Sequence, residues 1–216
     1  RRVGHAGTLD PDATGVLLVG LGRVTRLLRF LQDTDKEYRG DVVFGVATST
    51  LDAAGTVLEE RSMPVTRAEV EGAAVGFVGE IDQVPPMVSA VQVDGRRLHA
   101  LAREGKEVAR APRRVRIDAV TVEAFVAGDR PRATILVRCG SGTYVRSLAA
   151  DLGAALGGPA HLATLRRLRV GPFGLAEAHG LEAVEADPDG VLLDPAVALR
   201  GLAAIDLPPD AATTVV

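Results

Sequence analysis

One stretch concentrates the residue types that could do chemistry: Gly4-His5-Ala6-Gly7-Thr8-Leu9-Asp10-Pro11-Asp12-Ala13-Thr14-Gly15-Val16-Leu17. Three glycines within twelve residues, with Pro11 directly after an acid, specify a tight loop rather than a helix or strand interior. Proline confines the residue before it to extended backbone, which fixes where the Asp10 carboxylate points. A carboxylate held in that way can act as a nucleophile or a base. The same spacing also fits an Asp that caps the following turn. Cys139 is the only cysteine, so disulfides within the chain and multi-cysteine metal sites are excluded. It ends the apolar run from Ala133 to Val137 with no histidine nearby in sequence, which argues against a thiol hydrolase. His99, His161 and His179 are scattered without metal-ligand spacing and read as structural histidines.

The elements that must position these residues follow from periodicity. Val24, Leu27, Leu28 and Leu31 predict an amphipathic helix, with Arg23, Arg26 and Arg29 on its other faces. A β-branched run from Tyr38 to Thr50 and a second at Thr56 to Leu58 predict paired strands around an Asp52 to Gly55 turn. Thr66 followed by Glu69 has capping-box spacing for a helix running towards Val78. After Pro85 and Pro86, a strand is expected at Met87 to Val93, an Asp94-Gly95 turn, and a helix from Arg96 to Glu104 closed by Gly105. Irregular chain then leads to strands at Val115 to Val126 and Ala133 to Cys139, a helix over Thr143 to Leu156, and a further segment, His161 to Phe173. Strands from distant segments interleaved with few helices predict an α+β fold with a mixed sheet.

The net charge of −3 averages regions of opposite sign. From Arg96 to Arg116 the balance is +6, a candidate phosphate-binding strip; from Glu177 onward it is −7. The 47% hydrophobic content suits a sizeable core, and no apolar run reaches membrane-spanning length. The chain starts at Arg1 without a signal-peptide pattern and reads as part of a longer one, in the cytoplasm.

The run GHAGTLDPDATGVL resembles, nearly residue for residue, the active-site motif of the TruB family of pseudouridine synthases. Lys36-Glu37-Tyr38, CGSGTYVRSLAADL (Cys139 to Leu152) and Leu165-Arg166-Arg167-Leu168 are similar to further family segments in the same order. The stretch from Pro86 to Arg114 looks like the family's RNA-gripping insertion. The resemblance implies a largely antiparallel mixed sheet of the pseudouridine synthase type with flanking helices, an insertion at about 85–116, a catalytic domain at 1–176 and, at 177–216, a small or incomplete C-terminal module for which a PUA-like type is one option. It further implies conversion of the T-loop uridine of tRNA to pseudouridine without cofactor or metal. Asp10 would be the nucleophile, Tyr38 would pack on uracil, Arg146 would pair with Asp10, and Tyr144 and Leu165 would line the pocket. RNA contacts would come from His5, Arg26, Arg96, Arg97, Arg113, Arg114 and Arg166. The family's opening strand is expected ahead of Arg1. The expected partner is the tRNA T-arm, with no membrane and no protein partner, and the expected state is a monomer. Two rival readings are a tRNA-binding module without chemistry and a guide-RNA-dependent synthase.

Overall fold

The computed structural model describes residues 2–93, 95–203 and 205–206. Asp94 of the expected turn, the side chain of His99 and residues 207–216 of the expected C-terminal module lie outside them. The fold is α+β, built on a mixed and largely antiparallel sheet.

The chain opens with strand β1 (Val3–His5), a two-residue β2 (Thr14–Gly15) and β3 (Val19–Leu21), which pairs antiparallel with β1. The Asp10 segment is thus a loop bracketed by short strands, and Gly4 lies inside β1 rather than in the loop. A 3₁₀ turn (Gly22–Arg26) and helix α1 (Leu28–Gln32) replace the single α-helix expected over 24–31. Apolar residues three apart face one side in either geometry, so the sequence pattern did not separate them.

Strand β4 (Lys36–Phe44) is broken from β5 (Val46–Thr48) by Gly45, whose φ of 86° suits only glycine, and β5 pairs with β6 (Val57–Glu60). Helix α2 (Arg67–Val75) carries the expected capping box: Thr66 accepts from the Glu69 N–H and the Glu69 carboxylate accepts from the Thr66 N–H. Strand β7 (Gly79–Gln83), not foreseen, follows.

Of the strand expected at Met87 to Val93 only β8 (Gln92–Val93) forms, since among the described residues no strand but β9 (Arg96–Arg97) pairs with this segment. That pairing also takes Arg96 and Arg97 out of the expected helix, leaving α3 (Leu98–Arg103) before Gly105 at φ 69°. Strands β10 (Arg113–Val126) and β11 (Arg132–Cys139), helix α4 (Val145–Ala155), and strands β12 (Ala160–Val170) and β13 (Phe173–Gly174) complete the main body. Arg113 and Arg114 begin β10 rather than lying in irregular chain, because they pair with Gln83 and Asp82 of β7.

Across the sheet the order is β13-β12-β4-β11-β10-β7, with β2 alongside β12 as the one parallel strand pair among the described residues and a single parallel bridge from Asp52 to Leu162. Alternate residues of β4 and β11 point inward, and Val42, Phe44, Ile135 and Val137 bury against Leu148 and Leu152 of α4 and Val70 and Ala74 of α2. A short helix α5 (Leu181–Ala186) and a 3₁₀ turn (Pro195–Leu199) follow, and Val197 and Ala198 pack on the Leu28, Leu31 and Phe173 cluster. Arg200 fastens this end by pairing with Glu177 and lying 4.2 Å over the Phe173 ring. No helix among the described residues is long and apolar enough to cross a membrane.

Cys139 stands opposite Lys36 in the β4–β11 ladder, fully buried. Burial pushes its thiol up to about 11 from an ordinary 9.0. The unfolded thiol loses its proton near pH 9 while the folded one keeps it to about 11, so in that window the unfolded state binds fewer protons and stability falls as pH rises. Urea unfolding from pH 8 to 11 is expected to show a declining limb that is shallower in Cys139→Ala. Equal limbs in the two proteins would mean that the thiol does not contribute.

Candidate active site

Residues far apart in sequence converge on Arg146, in the first turn of α4 and 4% exposed. Its Nη2 donates to Asp10 Oδ1 at 2.7 Å and to the Val88 carbonyl at 2.9 Å; its Nη1 donates to the Thr50 carbonyl at 3.1 Å and lies 3.3 Å from Asp52 Oδ2. A guanidinium stays charged and offers five donors in a planar fork, so one side chain holds two carboxylates and two carbonyls together. Burying that charge is tolerable only because it is paired and hydrogen-bonded. The Asp10 side chain remains 34% exposed at the mouth of a cleft lined by Asp10, Asp52, Val88, Arg146, Leu162 and Leu165, among others.

The backbone explains why Asp10 stands there. Arg167, 1% exposed on β12, donates through Nε to the Val16 carbonyl at 2.7 Å and through its two terminal nitrogens to the Thr8 and Gly7 carbonyls at 3.3 Å. One buried cation thereby ties both ends of the Asp10 loop to the sheet. Gly15 has φ +104°, and a Cβ on it would lie 2.0 Å from the Arg167 carbonyl oxygen, so only glycine lets the loop reach β12. On the far side of β12 the register with β4 shifts between Leu162 and Thr164, a bulge that turns Ala163 towards the cleft. Gly40 faces this bulge, where a Cβ would lie 2.8 Å from the Thr164 carbonyl.

The start of α4 is fixed by Gln83, which accepts from the Tyr144 N–H at 2.8 Å and donates to the Tyr144 carbonyl at 3.1 Å, while Ser147 donates to the Val84 carbonyl. The end of β7, where the 85–116 segment leaves the sheet, is therefore locked to the turn that presents Arg146.

Among the residues singled out from sequence, Asp10, Arg146 and Leu165 share the cleft. Tyr38 is buried on β4, opposite Arg167 in the β4–β12 register. Burial raises its phenol pKa; the Arg167 guanidinium beside it opposes that, and the Asp10 charge acts in the same direction as burial. Tyr144 is half-buried at the helix start and is not among the cleft-lining residues. His5 is exposed on β1, Arg26 on the 3₁₀ turn and Arg166 on β12, whereas Arg96, Arg97, Arg113 and Arg114 lie on or beside the 85–116 segment.

The basic strip is less available than its charge suggests. Arg96 and Lys106 pair with Glu104, Arg110 with Glu107, Arg114 with Glu80 and Asp82, and Arg116 with Asp35 and Asp118. His161 is buried with Nδ1 3.1 Å from the Val46 carbonyl, as a structural histidine should be, while His179 is exposed. Sequence reasoning missed Asp52, which looks like any turn aspartate, and Arg167. Strand alternation held the signal for the latter, because Arg166 and Arg167 must face opposite sides.

Two family models divide the chain: the N-terminal domain of the TruB family pseudouridylate synthases matches residues 1–145, and the C-terminal domain of tRNA pseudouridylate synthase B matches 146–197. The chain belongs to the TruB family. Among its TruB relatives, the tRNA pseudouridine synthase B of Symbiobacterium thermophilum is 51% identical over 92% of this chain and 67% of its own length. That of Gloeobacter violaceus is 48% identical over 97% of this chain and 73% of its own. The one from Mycobacterium sp. (strain KMS) is 50% identical, and 64% of its length is covered, so the chain spans about two thirds of such relatives. Among solved structures, a Cbf5-Nop10-Gar1 complex contains a chain matching this TruB fold with a TM-score of 0.67 at 27% identity, covering 94% of this chain and 54% of that one. An H/ACA RNP bound to a substrate RNA containing 2'-deoxyuridine matches at 0.59 and 26%, covering 88% of this chain and 47% of that one.

Proposed function

We propose that the protein isomerises the T-loop uridine of tRNA to pseudouridine with Asp10 as the nucleophile. The observation that carries this reading is the Asp10 carboxylate held by buried Arg146 at the mouth of a cleft, in a chain about half identical to proteins named tRNA pseudouridine synthase B. In the reaction the N1–C1′ glycosidic bond breaks and a C5–C1′ bond forms; C5 loses its proton to solvent and N1 gains one. Nothing is oxidised or reduced, so side chains suffice. Asp10 attacks the nucleotide, Arg146 fixes the carboxylate's direction, and Leu165 supplies apolar wall to the uracil. Tyr38 packs near the base and assists proton movement, and Tyr144 flanks Arg146.

The uridine must leave its stack to reach a cleft of this kind, at a cost of a few kcal/mol offset by protein contacts. His5, Arg26, Arg166 and the 85–116 segment with Arg96, Arg97, Arg113 and Arg114 are the proposed contacts to the tRNA T-arm. The proposed working form is a monomer in the cytoplasm.

Tritium release from 5-tritiated uridine in an unmodified tRNA transcript tests the reading. The expected result is release by the protein alone, absent when the T-loop uridine is replaced by cytidine. The likeness to Cbf5 complexes favours a second reading, a guide-RNA-dependent synthase. Release only on addition of a guide RNA would select it, and tRNA binding by folded protein with no release under either condition would select a binding module.

A further inference from the structure

The 3₁₀ geometry after β3 has a consequence for charge. A 3₁₀ helix has three residues per turn and a rise of about 2 Å, so side chains three apart stack on one edge about 6 Å from each other. Arg23 and Arg26 stand at that spacing in the Gly22–Arg26 turn, and Arg29 is three residues further on. The threefold period continues past the turn, because the Leu27 N–H donates to the Val24 carbonyl at 2.8 Å and the Phe30 N–H to the Leu27 carbonyl at 3.0 Å. Exposure follows the same period: Arg23, Arg26 and Arg29 are exposed, while Val24, Thr25, Leu27 and Leu28 are half-buried or buried.

Three further observations bear on what this edge meets. None of the three arginines makes an ion pair among the described residues, in contrast to the paired cations of the 96–116 strip. The Arg29 guanidinium lies 4.7 Å over the ring of Phe30, which restrains it without neutralising it. Beneath, Leu28 packs so closely on Gly4 and Gly20 that a Cβ on either would lie 3.3 or 3.1 Å from it, which fixes the turn to the β1–β3 hairpin. That hairpin bears His5, five residues and so at most about 17 Å of extended chain from Asp10.

We infer that Arg23, Arg26 and Arg29 form a rail that binds successive phosphates of one RNA strand beside the candidate active site. The inference rests on the proposed function for RNA as the substrate, and it extends the single contact proposed at Arg26 to a directional track. The rail's spacing is close to that of neighbouring phosphates along one strand. Its unpaired charge lets each contact release counterions, which a cation already facing a carboxylate does far less.

The test is the salt dependence of binding for R23Q/R29Q, with Arg26 left in place and Arg130→Gln, at a cation paired with Glu60 and outside the proposed RNA contacts, as the comparison. Probes are an unmodified tRNA transcript and a single-stranded oligouridylate. With about 0.7 to 0.9 in log–log slope per phosphate contact, the double variant is expected to bind with a slope shallower by about 1.4 to 1.8. KM for tRNA should rise while kcat at saturation stays unchanged, and Arg130→Gln, at a cation that already faces Glu60, should leave the slope as it is. Both substituted side chains are exposed, and an unchanged melting curve confirms an intact fold. An unchanged slope in R23Q/R29Q, or no binding to either RNA by the unsubstituted protein, overturns the rail. Displacement by polyglutamate as effective as by RNA also overturns it and assigns the edge to an acidic protein segment. If tRNA is not turned over but the double variant still flattens the oligouridylate slope, the proposed function falls and the rail stands.

Discussion

Asp10→Asn is expected to lower pseudouridine formation at least a thousandfold, about 4 kcal/mol of barrier, while changing the Kd for tRNA less than threefold. The substitution keeps the side chain's shape and one oxygen for Arg146, and removes the charge that a nucleophile needs. Arg146 itself stays satisfied, because Asp52 remains 3.3 Å away and the Thr50 and Val88 carbonyls still accept from it. The fold and the RNA surface therefore survive, and the loss should appear in single-turnover rates at saturating enzyme. Near-normal turnover by this variant would remove Asp10 from the chemistry. Loss of binding in parallel with turnover would mark the carboxylate as structural.

The second large effect is expected at Arg167→Met. Methionine fills much of the same volume but donates nothing, so the Gly7, Thr8 and Val16 carbonyls lose their shared donor. Of these only Val16 is a buried residue, and its acceptor left bare costs about 1–3 kcal/mol, while the half-buried Gly7 and exposed Thr8 carbonyls can turn to water. A net loss of a few kcal/mol corresponds to roughly 2–4 °C in Tm for each kcal/mol in a chain of this size. Activity should fall further than stability, because a carboxylate displaced by an ångström no longer meets its target. Arg167→Lys, which keeps the charge but loses the fork, is expected to regain stability ahead of kcat. Equal recovery of both would mean that the arginine supports the fold alone.

Elements governed by local physics were legible in the sequence. The Thr66–Glu69 capping box, the strands at 115–126 and 133–139 and the helix leading from Gly142 are all present within a residue or two. What sequence did not reveal depends on distant partners. Strand β7 reads Gly-Glu-Ile-Asp-Gln, with no β-branched run, and owes its form to pairing with Arg113–Ile117. The 87–93 segment has the apolar content of a strand, but only Gln92–Val93 find a partner, the short β9. The Asp10–Arg146 pair followed from the family resemblance, whereas Asp52 entered the same cluster only because the turn of the β5–β6 hairpin lies against Leu162 of β12. Arg166 and Arg167 are chemically identical neighbours, and only the strand's orientation decides which one faces solvent and which one the loop.

Arg146 reaches Asp10 across 136 positions of chain, the Thr50 carbonyl across 96 and the Val88 carbonyl across 58. Contacts that distant close large loops and form late when a chain folds, after hairpins such as β10–β11 have already paired. The β4–β12 and β2–β12 pairings close loops of similar length, so the completed sheet and the three segments gathered by Arg146 depend on the same late contacts. Order of assembly therefore ties a competent site to the finished sheet: chemistry is among the last properties the polypeptide acquires.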